Sequence, residues 1–132
     1  SWIAQRLGKP MIYIRSKPKD HGKENLIEGR LEKGQRVLVI EDLISTGGSS
    51  VGAVQAVRDQ GGIVTDCIAI FTYGFEKAKK AFVDANCQIY SLSNFSTLAQ
   101  VAKENNFIKT EEYQMILSWS SNPQEWSEKH GG

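Results

Sequence analysis

The densest concentration of chemistry in the chain is the run Glu41-Asp42-Leu43-Ile44-Ser45-Thr46-Gly47-Gly48-Ser49-Ser50. Two adjacent carboxylates lead into a stretch of small and hydroxyl-bearing residues. The second half suits an anion: loop amides, the hydroxyls of Ser45, Thr46, Ser49 and Ser50, and the positive end of a following helix dipole together favour a phosphate. The carboxylates need a different partner, either vicinal hydroxyls or a divalent cation. Phosphate donors and paired acceptors a few residues apart describe a sugar phosphate better than a bare nucleotide phosphate. Any single piece of the run would read as an ordinary capped strand-to-helix turn with two solvated acids; the ten residues together read as a site. Two other phosphate patterns fail. A Walker-type loop needs Gly-Lys-[Ser/Thr], whereas Gly48 precedes Ser49; a dinucleotide fingerprint needs G-x-G-x-x-G, and Gly47-Gly48 followed by Gly52 has the wrong spacing.

Such a site needs a strand to deliver it and a helix to close it. Val37-Leu38-Val39-Ile40 is a continuous apolar run, which predicts a strand buried on both faces of a parallel sheet. Ser49 is a candidate N-cap for the next helix, whose Val51, Val54 and Val57 fall at helical spacing before a stop at Gly61. Further along, residues 63–73 read as a strand, and Phe75, Ala78, Phe82 and Ala85 share one helix face. Lys77, Lys79 and Lys80 form that helix's wet side. Residues 87–92 read as another strand, and Phe95, Leu98, Ala99 and Ala102 as an amphipathic helix face. Thr110 opens a last long helix with Glu111 and Glu112 in its first turn, running to about Trp119. Upstream, residues 1–8 read as the tail of a helix stopped at Gly8, and residues 10–15 as a short strand. Residues 16–25 form a polar loop expected to be mobile, and Leu26-Ile27-Glu28-Gly29 with Gly34-Gln35 brackets a hairpin or edge element. The tail after Pro123 reads as a short helical turn, with residues 129–132 flexible. Repeated strand–helix units predict one domain over 1–132: α/β, a doubly wound, mostly parallel sheet. In such sheets ligands bind beyond the carboxyl ends of the strands, beside helix N-termini, which is where the run from Glu41 falls.

Composition narrows the class further. Sixteen Lys+Arg against 15 Asp+Glu leave a net charge of +1 over 132 residues, no field for a polyanion, so nucleic acid is not an expected partner. With 40% hydrophobic and 23% charged residues the chain is not disordered. No apolar run exceeds the five residues Cys67-Ile68-Ala69-Ile70-Phe71, and the opening Ser1-Trp2-Ile3-Ala4-Gln5-Arg6 has no signal-peptide core, so neither a membrane span nor export is expected. Cys67 and Cys87 lie in apolar segments without metal-ligand spacing and read as reduced, buried thiols of a cytoplasmic protein.

The run Val37 to Ser50 resembles the signature of the type I phosphoribosyltransferases: a hydrophobic strand, two acids and a Thr-Gly-Gly-type loop. Pro10-Met11-Ile12-Tyr13-Ile14-Arg15, Lys19-Asp20-His21-Gly22 and Ile27-Glu28-Gly29 narrow the resemblance to the orotate phosphoribosyltransferases, being similar to their catalytic loop and its flanks. Ile70-Phe71-Thr72-Tyr73-Gly74-Phe75 and Leu92-Ser93-Asn94-Phe95 are similar to later segments of bacterial members. The resemblance implies a phosphoribosyltransferase-like core and transfer of ribose 5-phosphate from phosphoribosyl pyrophosphate to orotate, giving orotidine 5-monophosphate in pyrimidine biosynthesis. It implies Asp42, Lys19 and His21 as catalytic residues. Substrate would be bound by Arg15, Lys19, His21, Glu41, Asp42, Leu43, Ile44, Ser45, Thr46, Gly47, Gly48 and Ser49. Mg²⁺ would arrive on the pyrophosphate rather than in a protein metal site, and a homodimer is implied in which loop 16–25 reaches the neighbouring subunit's site.

The chain also departs from that pattern. Nothing in it corresponds to the family's N-terminal portion, with its first core strand and pyrophosphate-binding loop; a fragment of a longer protein is expected, because parallel sheets rarely dispense with a central strand. Ser16 stands where lysine is common, and Tyr73-Gly74-Phe75 lacks the arginine that holds the orotate carboxylate in some members. Transfer to another base such as a purine, or binding of phosphoribosyl pyrophosphate without turnover, are the alternative functions. His21 alone would read as a solvated loop histidine, His130 as a tail residue, and Trp2, Trp119 and Trp126 as core or interface aromatics.

Overall fold

The computed structural model describes residues 2–15 and 26–130. The loop expected at 16–25, with Ser16, Lys19 and His21, lies outside the described residues, as do Gly131 and Gly132.

The chain begins with α1 (Trp2–Leu7), which Gly8 ends in a left-handed conformation. Strand pairing in the segment at 10–15 is confined to β1 (Tyr13–Ile14), antiparallel to β2 (Ile27–Glu28). The expected hairpin around residues 26–35 therefore forms with a different partner: Ile27 and Glu28 turn back onto β1 across the 16–25 segment. Ile27 reaches the core, and Ile12, Ile14 and Leu31 pack against it.

Next come β3 (Val39–Ile44), α2 (Gly48–Asp59), β4 (Asp66–Thr72), α3 (Glu76–Asp84) and β5 (Gln88–Asn94). The α/β class and the parallel sheet agree with expectation: β3 pairs β4 with Val39 opposite Cys67, and β4 pairs β5 with Cys67 opposite Ile89. The strands run further toward their carboxyl ends than the apolar patterns suggest. Arg36 and Ile63 meet only in an isolated bridge, so ladder pairing starts later, and β3 carries both acids inside it. Strand order follows chain order, so right-handed crossovers put α2 and α3 on one face, where they pack together. The core lies between them and the sheet: Val54 and Val57 from α2, Ala78 and Phe82 from α3, Val39, Cys67 and Ala69 from the strands. Among the described residues the opposite face stays open, and Leu38 and Ile40 are exposed rather than buried as the apolar run implied.

Arg58, near the end of α2, holds this half together. Its guanidinium donates to the carbonyls of Ala85 (2.6 Å), Val64 (2.6 Å) and Asn86 (3.2 Å), tying α2 to the segment that leads into β4 and to the turn after α3. The lysine-rich side of α3 is exposed and paired locally, Lys79 with Glu76 and Lys80 with Asp84. Both cysteines are free and buried.

α4 (Phe95–Glu104) is capped by Asn94, whose side chain accepts from the Thr97 amide at 2.9 Å. It buries Ala99, whereas Leu98, expected on its apolar face, is exposed. α5 (Thr110–Ser121) starts with the Glu112 carboxylate accepting from the Lys109 amide at 2.6 Å. The tail is more than one turn: α6 (Pro123–His130) follows, with Glu125 paired to Lys129. Trp119 and Trp126 are half-buried, but Trp2 is 82% exposed. No helix of the described residues is long and apolar enough to cross a membrane.

Candidate active site

β3 ends at Ile44, and its carbonyl fixes where the loop begins. It accepts from the Tyr73 amide (3.0 Å) and from the Thr72 hydroxyl (3.3 Å); that hydroxyl in turn accepts from the Gly74 amide (3.1 Å). Ile44 is thus a buried anchor, and Thr72 is a positioning residue that reading the run alone misses. Its signal is a hydroxyl at the end of the neighbouring strand, just before Tyr73-Gly74.

Successive strand residues project to opposite faces, so Glu41 and Asp42 leave β3 on opposite sides. Glu41 is half-buried on the helix-covered side, near Cys67. Asp42 is exposed, and its carboxylate accepts from the Leu43 amide at 2.7 Å. The expectation that both acids follow the strand is corrected: both lie within it, at an edge that pairs only with β4 among the described residues.

The helix N-cap is Gly47, not Ser49. Gly47 has φ +82°, a left-handed conformation that favours glycine, and a Cβ there would meet Ala78 Cα and Phe82 Cε2, each at 3.3 Å. The loop backbone is seated directly on α3, and a larger residue would have to push Ala78 and Phe82 back. Gly47 offers no capping side chain, and the first turn of α2 holds no acid. The positive end of α2 is therefore left without a side-chain counter-charge from its own turn.

The four hydroxyls part company here. Thr46 and Ser49 are exposed and Ser45 is half-buried. Ser50, by contrast, is 1% exposed on the core-facing stripe of α2 with Val54 and Val57, and its Oγ has no partner among the described residues. Ser50 belongs to the core rather than to the anion cradle. Gly48 faces open space.

Arg15 stands apart from the loop, at the base of the β1–β2 arm. Its amide donates to the Leu26 carbonyl at 2.8 Å, and its guanidinium pairs with Glu28. Of the expected pyrophosphate-facing residues it is the one among the described residues. The described residues hold no group of three or more His, Cys, Asp or Glu suited to a metal. At the carboxyl end of β4, Tyr73 and Phe75 stack at 5.3 Å between ring centres, and Trp119 meets both along with Phe95. This cluster fixes α5 against the end of the sheet from which the site opens.

The chain is similar to known proteins over nearly all of its length. It is 51% identical over 126 residues to orotate phosphoribosyltransferase from Coxiella burnetii, a match that covers 96% of this chain and 60% of that protein. The chain is thus similar to orotate phosphoribosyltransferases over nearly all of its own length. Solved phosphoribosyltransferase structures carry the same fold. Orotate phosphoribosyltransferase from Aeropyrum pernix superposes with a TM-score of 0.69 at 27% identity, covering 82% of this chain and 58% of that one. Adenine phosphoribosyltransferase from Thermoanaerobacter pseudethanolicus superposes with a TM-score of 0.60 at 31% identity, covering 70% and 60%. The phosphoribosyltransferase core therefore does not by itself choose the base. No family model matches the sequence. The chain spans about three-fifths of the length of the curated relatives it matches.

Proposed function

We propose that the protein transfers the ribose 5-phosphate of phosphoribosyl pyrophosphate to orotate, releasing pyrophosphate, as a cytoplasmic enzyme of pyrimidine biosynthesis. The observation that carries this reading is the continuous geometry from Glu41 to Ser49, in a chain half identical to an orotate phosphoribosyltransferase over nearly all its length.

The chemistry follows from the side chains. As the bond from the ribose carbon to pyrophosphate breaks, the bonding pair leaves with pyrophosphate and the ring gains positive charge. Asp42, exposed at the strand edge, accepts hydrogen bonds from ribose hydroxyls and steadies that charge; Glu41, the second acceptor expected from the sequence, leaves β3 on its opposite side and is half-buried there. The amides of Thr46, Gly47, Gly48 and Ser49 and the hydroxyls of Ser45, Thr46 and Ser49 hold the 5-phosphate at the start of α2. Leu43 and Ile44 set the loop's starting height. Arg15, Lys19 and His21 meet the charge on the departing pyrophosphate. Mg²⁺ carried in on the pyrophosphate would neutralise part of its charge; it keeps most of its ligands as water and substrate oxygens, so the exposed carboxylate of Asp42 would suffice as the protein's contribution.

Assaying orotate against purine bases, with phosphoribosyl pyrophosphate and Mg²⁺, tests the reading. Orotidine monophosphate is the expected product; a purine nucleotide, or tight binding of phosphoribosyl pyrophosphate with no product, overturns it. Asp42→Asn should keep the fold, being near-isosteric at an exposed position, and lower turnover by about 10²–10³. Unchanged kinetics would remove Asp42 from the site.

A further inference from the structure

Arg15 ends the arm made by β1 and β2, and the register of that arm decides what its side chain meets. Tyr13 lies opposite Glu28 and Ile14 opposite Ile27, and the Arg15 amide donates to the Leu26 carbonyl at 2.8 Å. Side chains alternate along a strand, so Ile14 and Ile27 turn to the core while Tyr13, Arg15 and Glu28 share the outer face. On that face Glu28 is diagonal to Arg15, within reach of a long side chain.

The two ends of this pair are held unequally. Glu28 sits between Ile27, 5% exposed in the core, and Gly29, where a Cβ would lie 3.2 Å from both Ile12 Cγ2 and the Met11 carbonyl oxygen. Its carboxylate therefore rises from a fixed base. Arg15 carries its charge on a longer stem, and its guanidinium is held at Nη2 by one oxygen of Glu28. Nε lies on the same edge of the guanidinium plane, is buried, and has no partner among the described residues. A buried N–H without an acceptor is costly, and anionic oxygens ordinarily take both N–H groups of such an edge together. Arg58 is the contrast: three backbone carbonyls engage its guanidinium, and its task is structural.

The Arg15 and Glu28 side chains are 35% and 45% exposed, and carboxylate–guanidinium pairs of that kind are weak. A diphosphate brings more charge and oxygens spaced for the fork, so it displaces the carboxylate. We propose that Glu28 is a positioning residue for Arg15: it holds the guanidinium by one N–H when no anion is bound and yields it to paired oxygens of a diphosphate. The carboxylate aims the arginine and cancels its charge at rest. It also competes for the arginine, so it takes the guanidinium back as pyrophosphate departs and speeds release. The inference rests on the reading that Arg15 faces the pyrophosphate, and it does not depend on orotate being the acceptor.

The test is calorimetry of inorganic pyrophosphate, with Mg²⁺, binding to the complete 132-residue chain at 0.15 M salt, where distant charges are screened. Glu28→Gln should unfold at the parent's urea midpoint, because the position is exposed, and should bind pyrophosphate about 2- to 5-fold tighter, the change that losing a weak competing pair allows. In an Arg15→Ala background the same substitution should lose most of that effect. In steady-state assays Glu28→Gln should lower the inhibition constant for pyrophosphate and the KM for phosphoribosyl pyrophosphate together, without raising kcat. Pyrophosphate binding that Glu28→Gln leaves unchanged or weakens overturns the proposal. So does equal tightening in the Arg15→Ala background, which would mean that Glu28 does not act through the arginine. A parent chain that binds no pyrophosphate overturns the proposal together with the role of Arg15. Tightening that depends on Arg15, in an enzyme that makes a purine nucleotide, supports the proposal and overturns only the choice of orotate.

Discussion

Gly47 and Cys67 show how single atoms set the limits of this site. At Gly47, backbone conformation and space both work against a side chain: φ is +82°, and a Cβ would press on Ala78 and Phe82 at 3.3 Å, so α3 would have to give way. Gly47→Val should destabilise the fold by about 2–4 kcal/mol, combining left-handed strain with overpacking against α3. It should also abolish binding of phosphoribosyl pyrophosphate, measured by denaturant unfolding and calorimetry on the same sample. Wild-type affinity would refute the cradle. Cys67 responds to its surroundings differently. Burial, then nearby Cys87 and Glu41, pushes its thiol from 9.0 up to about 12. The folded chain therefore keeps this proton to higher pH than the unfolded chain, so its contribution to stability is complete below about 9 and is lost as pH rises toward 12. Urea unfolding across that window should show the decline, and Cys67→Ala should flatten it. At neutral pH a thiol reagent should leave Cys67 unmodified until the chain unfolds.

Elements here are joined by a few polar ties whose partners lie far apart in sequence. Arg58 bonds three carbonyls, and bonds from a charged donor contribute about 1.5–3 kcal/mol when the partners are shielded. Arg58→Ala should cost about 2–3 kcal/mol, seen as a lower urea midpoint, whereas Arg58→Lys should recover part of it, since a single ammonium cannot span all three acceptors. No loss on Arg58→Ala would show that water replaces the guanidinium freely. The link from Ile44 through Thr72 to Gly74 acts similarly at the carboxyl end, setting where β3 stops and the loop begins. β1 and β2 illustrate the opposite case. Two-residue strands give little pairing of their own, and the arm depends on Ile27 reaching the core.

For the whole molecule, the homodimer with a shared site that the sequence resemblance implies gives a sharp experiment. A mixed dimer of one Lys19→Ala chain and one Asp42→Asn chain places both defects in one site if loop 16–25 serves the neighbour. The other site is then intact, and about half of wild-type activity per dimer is expected if the sites act independently. If each loop serves its own site, every site carries one defect and activity stays low. Steady-state rates on a purified, doubly tagged dimer separate the two outcomes, and low activity rejects the shared site.

The sequence by itself determined the local order of this protein. The αβ alternation followed from apolar periods, the loop at Ser45–Gly48 from its small residues, and the helix stop at Gly8 from glycine's freedom. These depend on neighbours along the chain, and near neighbours are what a sequence displays. The positions of Thr110, Glu111 and Glu112 marked the start of α5 for the same reason. Only the tertiary structure decided what depends on distant partners. It put Glu41 and Asp42 on opposite faces because β3 extends to Ile44 through pairing with β4. It moved the cap from Ser49 to Gly47 because α3 presses on the loop, and it turned Ser50 inward while Ser49 stayed outside. It left Leu38 and Ile40 exposed because both crossovers fall on one side of the sheet. An apolar run shows that a face wants cover; whether cover is there depends on where the rest of the chain has gone.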